Sequence, residues 1–438
     1  MFPIQISHLL YEHIMEPDYL HFICNTITAT NVWIYSSIIL FTVCFYWMFF
    51  VPFNWTKHLD EVNFGQDTKK NNYSNKENKR HAICRLRRAR KIKSKELPPP
   101  FPNGWYGILE SSKLHAGEAK FVSCLGECFV VYRSEEQQVF ILDAYCPHLG
   151  ANLGIGGRVV GDNIVCPFHQ WSFRGTDGAC INVPYSSCVP QTSKVKKWIS
   201  KEVNEYIFVW YHAEPTENTW DLPISMEIQS DQYVYHGRNE FYISCHIQEI
   251  PENGADLAHF SAIHNESIFA GSSNPKKSIF STVGYHHWSA SWSPCKGAYR
   301  HFAVITLNHS LEITKKWHLF HMKVVAKQIG PSYVQLNMCS PTLGSFQILQ
   351  TITPVEPLLQ KVVHRFYGPR WLAPIMKIFI FGESIMFERD INIWNHKTFR
   401  SNPLLVKEDT SLKRFRIWYG QFYTANSKTF CESQKHNW

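Results

Sequence analysis

Hydrophobic positions change their spacing several times along the 438 residues. Residues 33–51 (WIYSSIILFTVCFYWMFFV) run nineteen positions without a charge. As a helix such a run spans about 30 Å of hydrocarbon. Trp33, Tyr35, Tyr46 and Trp47 offer interfacial aromatics at its ends. A single transmembrane helix over 31–52 is expected, with a buried core helix and a cleaved signal peptide as the other readings. The signal peptide fits poorly, because the run starts late and has neither a basic leader nor a small-residue cleavage site. Residues 53–103 read as a linker. QDTKKNNYSNKEN is polar and low in complexity, a basic run follows, and LPPPFP makes a stiff spacer. From 104 to 213 the pattern turns to short β-type runs (FVSCL, CFVVYR, QVFILDAY, NIVCPF, YIFVWY), broken by GDN at 161–163 and GTDG at 175–178. This predicts a small all-β domain. Over 214–425, strands such as YISCHI, RHFAVITLNH and YVQLNMCS mix with helical stretches, and 361–398 reads as one long helix. The expected fold is therefore an α+β domain on an antiparallel sheet with a C-terminal helix, following the β domain. Residues 1–30 and 426–438 are a short N-terminal segment and a tail.

Composition narrows the classes. Apolar residues are 45% and charged residues 18%, which excludes a disordered chain. Aromatics at 15% suit either large cores or an apolar ligand pocket. Phe260, Phe269, Trp288, Trp292 and Phe302 are candidate walls for such a pocket, against plain core packing. The net charge is +8, yet nine positive charges fall between Lys79 and Lys95 with no acid among them, so the remainder is near neutral. A general nucleic-acid surface is excluded, and no nucleic-acid partner is expected. The basic run itself suits an anionic membrane surface, a nuclear localisation signal or a solvated charge run. Residues 1–31 hold no Lys or Arg, so the positive-inside rule places the bulk of the chain in the cytosol. The endoplasmic reticulum is the expected membrane. Thirteen cysteines in a chain of this length, an odd number, read mostly as thiols of a reducing compartment. Cys124 and Cys128 are expected as buried, unbridged thiols on one strand.

Two constellations carry chemistry. In the β domain, Cys146-Pro147-His148 is followed seventeen residues later by Cys166-Pro167-Phe168-His169. Two thiolates and two imidazoles on two turn-prone loops suit tetrahedral zinc or a [2Fe–2S] cluster. The turns favour the cluster, since they bring backbone N–H groups toward sulfur.

In the α+β domain, His259 and His264 lie five positions apart, about 140° around an ideal helix. They meet one metal only where the helix bends or ends, and satisfied core histidines are the plainer reading. Asp256, three residues before His259, is placed for its carboxylate to reach the His259 ring. A carboxylate from the late helix would complete a two-His, one-carboxylate site for non-haem Fe(II). Asp390 is the first candidate, with Glu383 and Glu388 as rivals.

The wording CPHLGANL and CPFHQWSF, followed by D-x₂-H-x₄-H, resembles the Rieske-type non-haem iron oxygenases over about residues 100–423. ERDINIWNHKTF (388–399) and NPLLVKEDTSLKRFRIWYGQFY (402–423) are similar to the steroid-acting branch. An apolar segment ahead of the β domain is similar to the animal cholesterol 7-desaturases. The resemblance implies that Cys146, His148, Cys166 and His169 hold a [2Fe–2S] cluster and that His259, His264 and Asp390 hold mononuclear Fe(II). It further implies a head-to-tail homotrimer in which Asp256 links His259 to His169 of the partner subunit, with Asn253 shaping the O₂ site. NAD(P)H would act through a separate reductase, because no nucleotide or flavin motif is present. The implied reaction takes hydrogen from C7 and C8 of cholesterol with O₂, giving 7-dehydrocholesterol for ecdysteroid synthesis. A steroid hydroxylase or a chlorophyll-pathway oxygenase would use the same parts. A membrane-anchored Rieske electron carrier is the reading from another class. Its pattern has two further cysteines where Ala151 and Phe168 stand here, and it needs no second metal motif.

Overall fold

A computed structural model describes residues 17–57, 97–272, 275–280, 284–313 and 317–433. The basic run lies outside the described residues. The chain forms two compact units, Met1–Pro52 and Phe53–Trp438.

The first unit is helix α1 (Pro17–Phe50). Its stretch Asn31–Phe50 is, among the described residues, the one helix long and apolar enough to cross a membrane. None of that stretch is buried, as expected of a segment whose apolar side chains point outward all round.

The second unit opens with strand β1 (Phe53–Thr56), which corrects the expected linker. It pairs in parallel with a later strand of the main sheet, Phe53 opposite Gly237, and the Lys57 N–H donates to Glu240 O at 2.9 Å. The proline-rich segment is also packed rather than a free spacer. Phe101 is buried, Tyr106 Oη donates to Pro102 O at 2.6 Å, and the Asn103 N–H donates to Phe422 O at 2.7 Å.

The β domain holds β2 (Gly104–Glu110), β3 (Ala119–Cys124), β4 (Glu127–Arg133), β5 (Val139–Asp143), β6 (Arg158–Val160), β7 (Asn163–Val165), β8 (Ser172–Arg174), β9 (Cys180–Asn182), β10 (Ser200–Val203) and β11 (Tyr206–Tyr211). They form three small sheets, ordered β10-β11-β2, β3-β4-β5 and β6-β7-β8-β9. Cys124 and Cys128 do not share a strand. Leu125 and Gly126 both take positive φ (60° and 70°) and make a two-residue hairpin turn between β3 and β4. Both thiols are free, as expected, but only Cys124 is buried; Cys128 is half-buried near the hairpin turn.

The α+β domain is built on β12 (Val234–Ile243), β13 (Tyr285–Pro294), β14 (Phe302–Ile313), β15 (Trp317–Ile329), β16 (Tyr333–Ser340), β17 (Gly344–Glu356) and β18 (Leu359–Gly368). With β1 these give an eight-stranded sheet, β1-β12-β18-β17-β16-β15-β14-β13, antiparallel apart from β1. In β13 the period of two is plain. His286, Trp288, Ala290 and Trp292 face inward, while His287, Ser289, Ser291 and Ser293 are exposed.

Three helices matter for the site: α2 (Glu249–Glu252), α3 (Leu257–Ile263) and α4 (Ala373–Trp394). The expected helix over 361–398 is thus too long at its start. Residues 361–368 belong to β18, where Val362, Val363, Phe366 and Tyr367 are buried between two neighbouring strands. Gly368-Pro369 then breaks the strand, and Pro374 opens α4 where its missing N–H costs nothing. The two domains share a core: Tyr106 and Val209 pack in one cluster with Phe241, Ile352, Val362 and Trp394. The expected tail is partly packed as well, with Phe430 buried in the short helix Phe430–Ser433.

Candidate metal centres

The first constellation sits on two matching loops. After Cys146, the Gly150 N–H donates to Cys146 O (2.9 Å) and the Cys146 N–H donates to Ala151 O (2.9 Å). After Cys166, the Gln170 N–H donates to Cys166 O (3.1 Å) and the Cys166 N–H donates to Trp171 O (2.8 Å). The fifth residue of each loop is left-handed: Gly150 at φ 76°, Gln170 at φ 63°. Glycine takes that conformation freely and glutamine under strain. The loops bring both buried thiols together beneath two imidazoles, whose ring centroids lie 4.5 Å apart. Burial pushes the Cys146 thiol up to about 11, with Cys166 beside it adding to the rise. His148 stacks on Trp171 at 4.7 Å and 5°, and the Trp171 Nε1–H donates to Tyr185 Oη at 2.8 Å. His148 Nδ1 is buried without a protein partner, as a nitrogen that ligates a metal would be. The donor set and this nitrogen fit a [2Fe–2S] cluster bound by Cys146, His148, Cys166 and His169.

The second constellation is assembled by a helix end. α3 stops at Ile263, and His264 leaves the helical conformation (φ −110°, ψ 7°) while its N–H still donates to Phe260 O (3.1 Å). This break undoes the 140° separation that a regular helix imposes. The two rings stand 5.4 Å apart at 83°. Asp390, buried near the C-terminal end of α4, completes the group: ligand atoms of His259, His264 and Asp390 all lie within 4.8 Å of one another. His264 Nε2 is 3.2 Å from Asp390 Oδ2, and its Nδ1 is buried without a protein partner. Two imidazoles and one carboxylate with their ligand atoms this close together fit a mononuclear Fe(II). The rival carboxylates are engaged elsewhere. Glu383 faces His364 Nδ1 at 2.7 Å, and Glu388 pairs with Lys57 and accepts from Ser272 Oγ at 2.9 Å.

Asp256 takes a different role from the one its spacing suggests. Its Oδ1 accepts the His259 backbone N–H at 3.3 Å, capping α3. The His259 ring is met instead by the Asp256 main-chain carbonyl, which contacts Nδ1 and leaves Nε2 for the metal. Desolvation lowers the His259 pKa, favouring the neutral, metal-binding ring. Asn253 begins the helical turn that precedes Asp256, and its carbonyl accepts the Asp256 N–H at 3.2 Å.

Side chains outside the ligand trio hold this site together. Buried Arg389, next to Asp390, donates to four main-chain carbonyls: Ile263 (3.1 Å), Glu266 (2.9 Å), Ser267 (2.7 Å) and Gly271 (3.1 Å). It thereby clamps the loop after His264 onto α4. Its adjacency to a candidate ligand was the one available signal. Trp288 on β13 donates Nε1–H to His264 O at 3.1 Å. Beside it, His286 and His309 share a hydrogen bond of 2.8 Å, and burial pushes them to about 3 and about 4, so both stay neutral. Of the expected wall residues, Phe260 and Trp288 pack on the apolar cluster near the trio, Trp292 lies in a separate core with Phe415 and Trp418, and Phe269 is exposed. Phe302 packs against a third core, around Trp105 and Trp210.

Comparison with known proteins matches residues 104–194 to the Rieske [2Fe-2S] domain and residues 209–423 to the 3-ketosteroid 9alpha-hydroxylase C-terminal domain. The chain is 59% identical over 393 residues to the cholesterol 7-desaturase nvd of Drosophila melanogaster, covering 90% of this chain and 91% of that protein. It is 45% identical to the cholesterol 7-desaturase nvd of Xenopus laevis, covering 80% and 77%. It is 28% identical to the oxygenase component of the 3-ketosteroid-9-alpha-monooxygenase of Rhodococcus rhodochrous, covering 76% and 86%. Among solved structures, the Pseudomonas putida CBB5 NdmA complex with caffeine is similar in fold, with a TM-score of 0.54 at 16% identity, covering 79% of this chain and 95% of that one.

Proposed function

Because the chain belongs to the cholesterol 7-desaturase family of Rieske oxygenases, we propose that it dehydrogenates cholesterol across C7–C8 to 7-dehydrocholesterol. One hydrogen leaves each carbon, O₂ is reduced to two waters, and the two electrons and two protons still needed come from NAD(P)H through a separate reductase and from solvent. One observation carries this reading: His259, His264 and Asp390 converge beside an apolar sheet face, in the same unit as the Cys146/Cys166 loops. When bound, the [2Fe–2S] cluster supplies single electrons and the Fe(II) supplies O₂ activation.

The chain's own groups do the rest. The Asp256 carbonyl fixes the tautomer of His259, and Arg389 with Trp288 holds the His264 segment in place. Leu307, Val324, Met338 and Ala290 present hydrocarbon to a neutral substrate and exclude water. Asn253, in the turn leading into α3, shapes the O₂ side of the site.

The working assembly is a homotrimer in which Asp256 links His259 to His169 of the partner subunit. The support is the surface around the cluster: Leu149, Phe168 and Tyr185 are exposed beside the two imidazoles, an apolar rim suited to burial. α1 anchors the enzyme in the endoplasmic reticulum with both metal centres in the cytosol, a reading supported by the Lys and Arg downstream of the apolar helix. The product serves ecdysteroid synthesis.

The match of residues 209–423 to a hydroxylase domain favours a second reading, sterol hydroxylation at the same iron. Purified protein with a reductase, NAD(P)H, O₂ and cholesterol separates the two by mass spectrometry. A product two mass units lighter than cholesterol is expected. A hydroxysterol or no turnover would overturn the desaturase.

A further inference from the structure

α4 buries one side against the sheet and leaves a bare stripe on the other. Trp371, in the turn before the helix, and Ile378 and Phe381 within it are 59%, 66% and 41% exposed. Half-buried Ile375 lies between them. Positions 371, 375, 378 and 381 keep helical spacing of three and four, so the side chains line one face, and no charged residue interrupts it. The stripe continues onto β1, where Trp55 meets Phe381 edge-on at 5.9 Å and 78°. Isolated exposed apolar residues are ordinary on a protein surface, but a contiguous aromatic and aliphatic face marks a partner.

The chain itself identifies that partner. The apolar helix ends at Phe50 and β1 begins at Phe53. Three residues reach at most about 10 Å. If α1 spans a bilayer, as proposed above, Phe53 is held within about 10 Å of the end of that helix and Trp55, with Phe381 against it, within about 18–24 Å. A tryptophan-rich face on a surface helix suits the headgroup–acyl boundary.

The interior beneath the stripe gives the contact a use. Ile375, Met376 and Phe379 belong to one apolar cluster with Phe346, Met338 and Leu307, which reaches Phe260 and Trp288 beside the ligand trio. We propose that the Trp371–Phe381 face is seated in the bilayer interface, and that sterol passes from the membrane into the apolar interior under α4 without crossing water. This rests on the anchor reading, and the test separates the two.

The full-length protein is reconstituted in phosphatidylcholine vesicles carrying a photoreactive acyl chain, irradiated, digested and mapped by mass spectrometry. Adducts are expected in both 31–50 and 371–381. Adducts in 31–50 alone overturn the proposal and leave the anchor standing. Adducts in 371–381 alone support the seat and overturn the anchor, and adducts in neither overturn both. In a second arm, the Ile378→Glu/Phe381→Glu double variant should lower turnover of vesicle-borne cholesterol about fivefold, because charge is costly at that depth. Turnover of detergent-dispersed cholesterol and the cluster's EPR signal should hold. Equal loss with both substrate forms would mean that the face is structural, and no loss with either would mean that it does not meet the membrane; each result overturns the proposal.

Discussion

His264 Nε2 faces Asp390 Oδ2 at 3.2 Å, joining the end of one short helix to the last turns of a long one. Both side chains are buried. An imidazole and a carboxylate at this distance, with His259 alongside, are placed for a shared cation rather than for solvent.

His259→Ala and Asp390→Ala should therefore each lose the mononuclear iron and all sterol turnover, while the [2Fe–2S] EPR signal persists. Metal analysis and EPR on the same sample check this. Retained turnover in either variant would remove that residue from the ligand set.

Asp256 tests a capping role against an electron-relay role. Asparagine caps a helix as well as aspartate does, whereas alanine costs about 1 kcal/mol. Asp256→Asn should keep thermal stability and Asp256→Ala should lose it by that amount. If the carboxylate also links to His169 of the partner subunit, both variants should slow single-turnover electron transfer alike. Normal transfer in Asp256→Asn would leave the side chain only its capping role.

Arg389→Met leaves four carbonyls, one just before His264 and three after it, without their donor. Hydrogen bonds to a buried charged donor contribute about 1.5–3 kcal/mol each, and their losses do not add fully, so a net loss near ~4 kcal/mol is expected. Iron retention should fall with it. Thermal melting and metal content are the measurements.

His246 makes stability depend on pH. It is buried, its Nδ1 accepts the Gln248 N–H at 3.2 Å, and its Nε2–H donates to Pro99 O at 3.2 Å. Burial pushes it down to about 4, so the folded ring stays neutral where an unfolded one, with a pKa of about 6.5, takes a proton. The unfolded state binds more protons below that value. Stability should thus fall as pH drops from about 6.5 toward 4, by up to about 1.4 kcal/mol per unit from this group, and should be fully present above about 7. Half-buried His286 and His309, also pushed down by desolvation, add to the slope. Denaturant melts at pH 7, 6 and 5 should show a shallower slope in His246→Gln.

The sequence by itself determined the chemistry. Cys146, His148, Cys166 and His169 occur at short spacing on loops, and local turns suffice to present such ligands. The apolar run 33–51 and the β-to-α+β order were equally local, since periods of two and 3.6 are written in neighbouring residues. The tertiary structure decided what depends on distant partners. Phe53–Thr56 is too short to be a strand alone and becomes one only on the edge of β12. Residues 361–368 are a strand because two neighbours supply their hydrogen bonds. Asp390, Glu383 and Glu388 lie on one helix with the same chemistry, and only packing sends the first to the histidines, the second to His364 and the third to Lys57. Backbone geometry likewise gave the His259 ring to the Asp256 carbonyl instead of its side chain. Local sequence encodes which donors exist, whereas the choice among equivalent donors is made by the buried contacts each can satisfy.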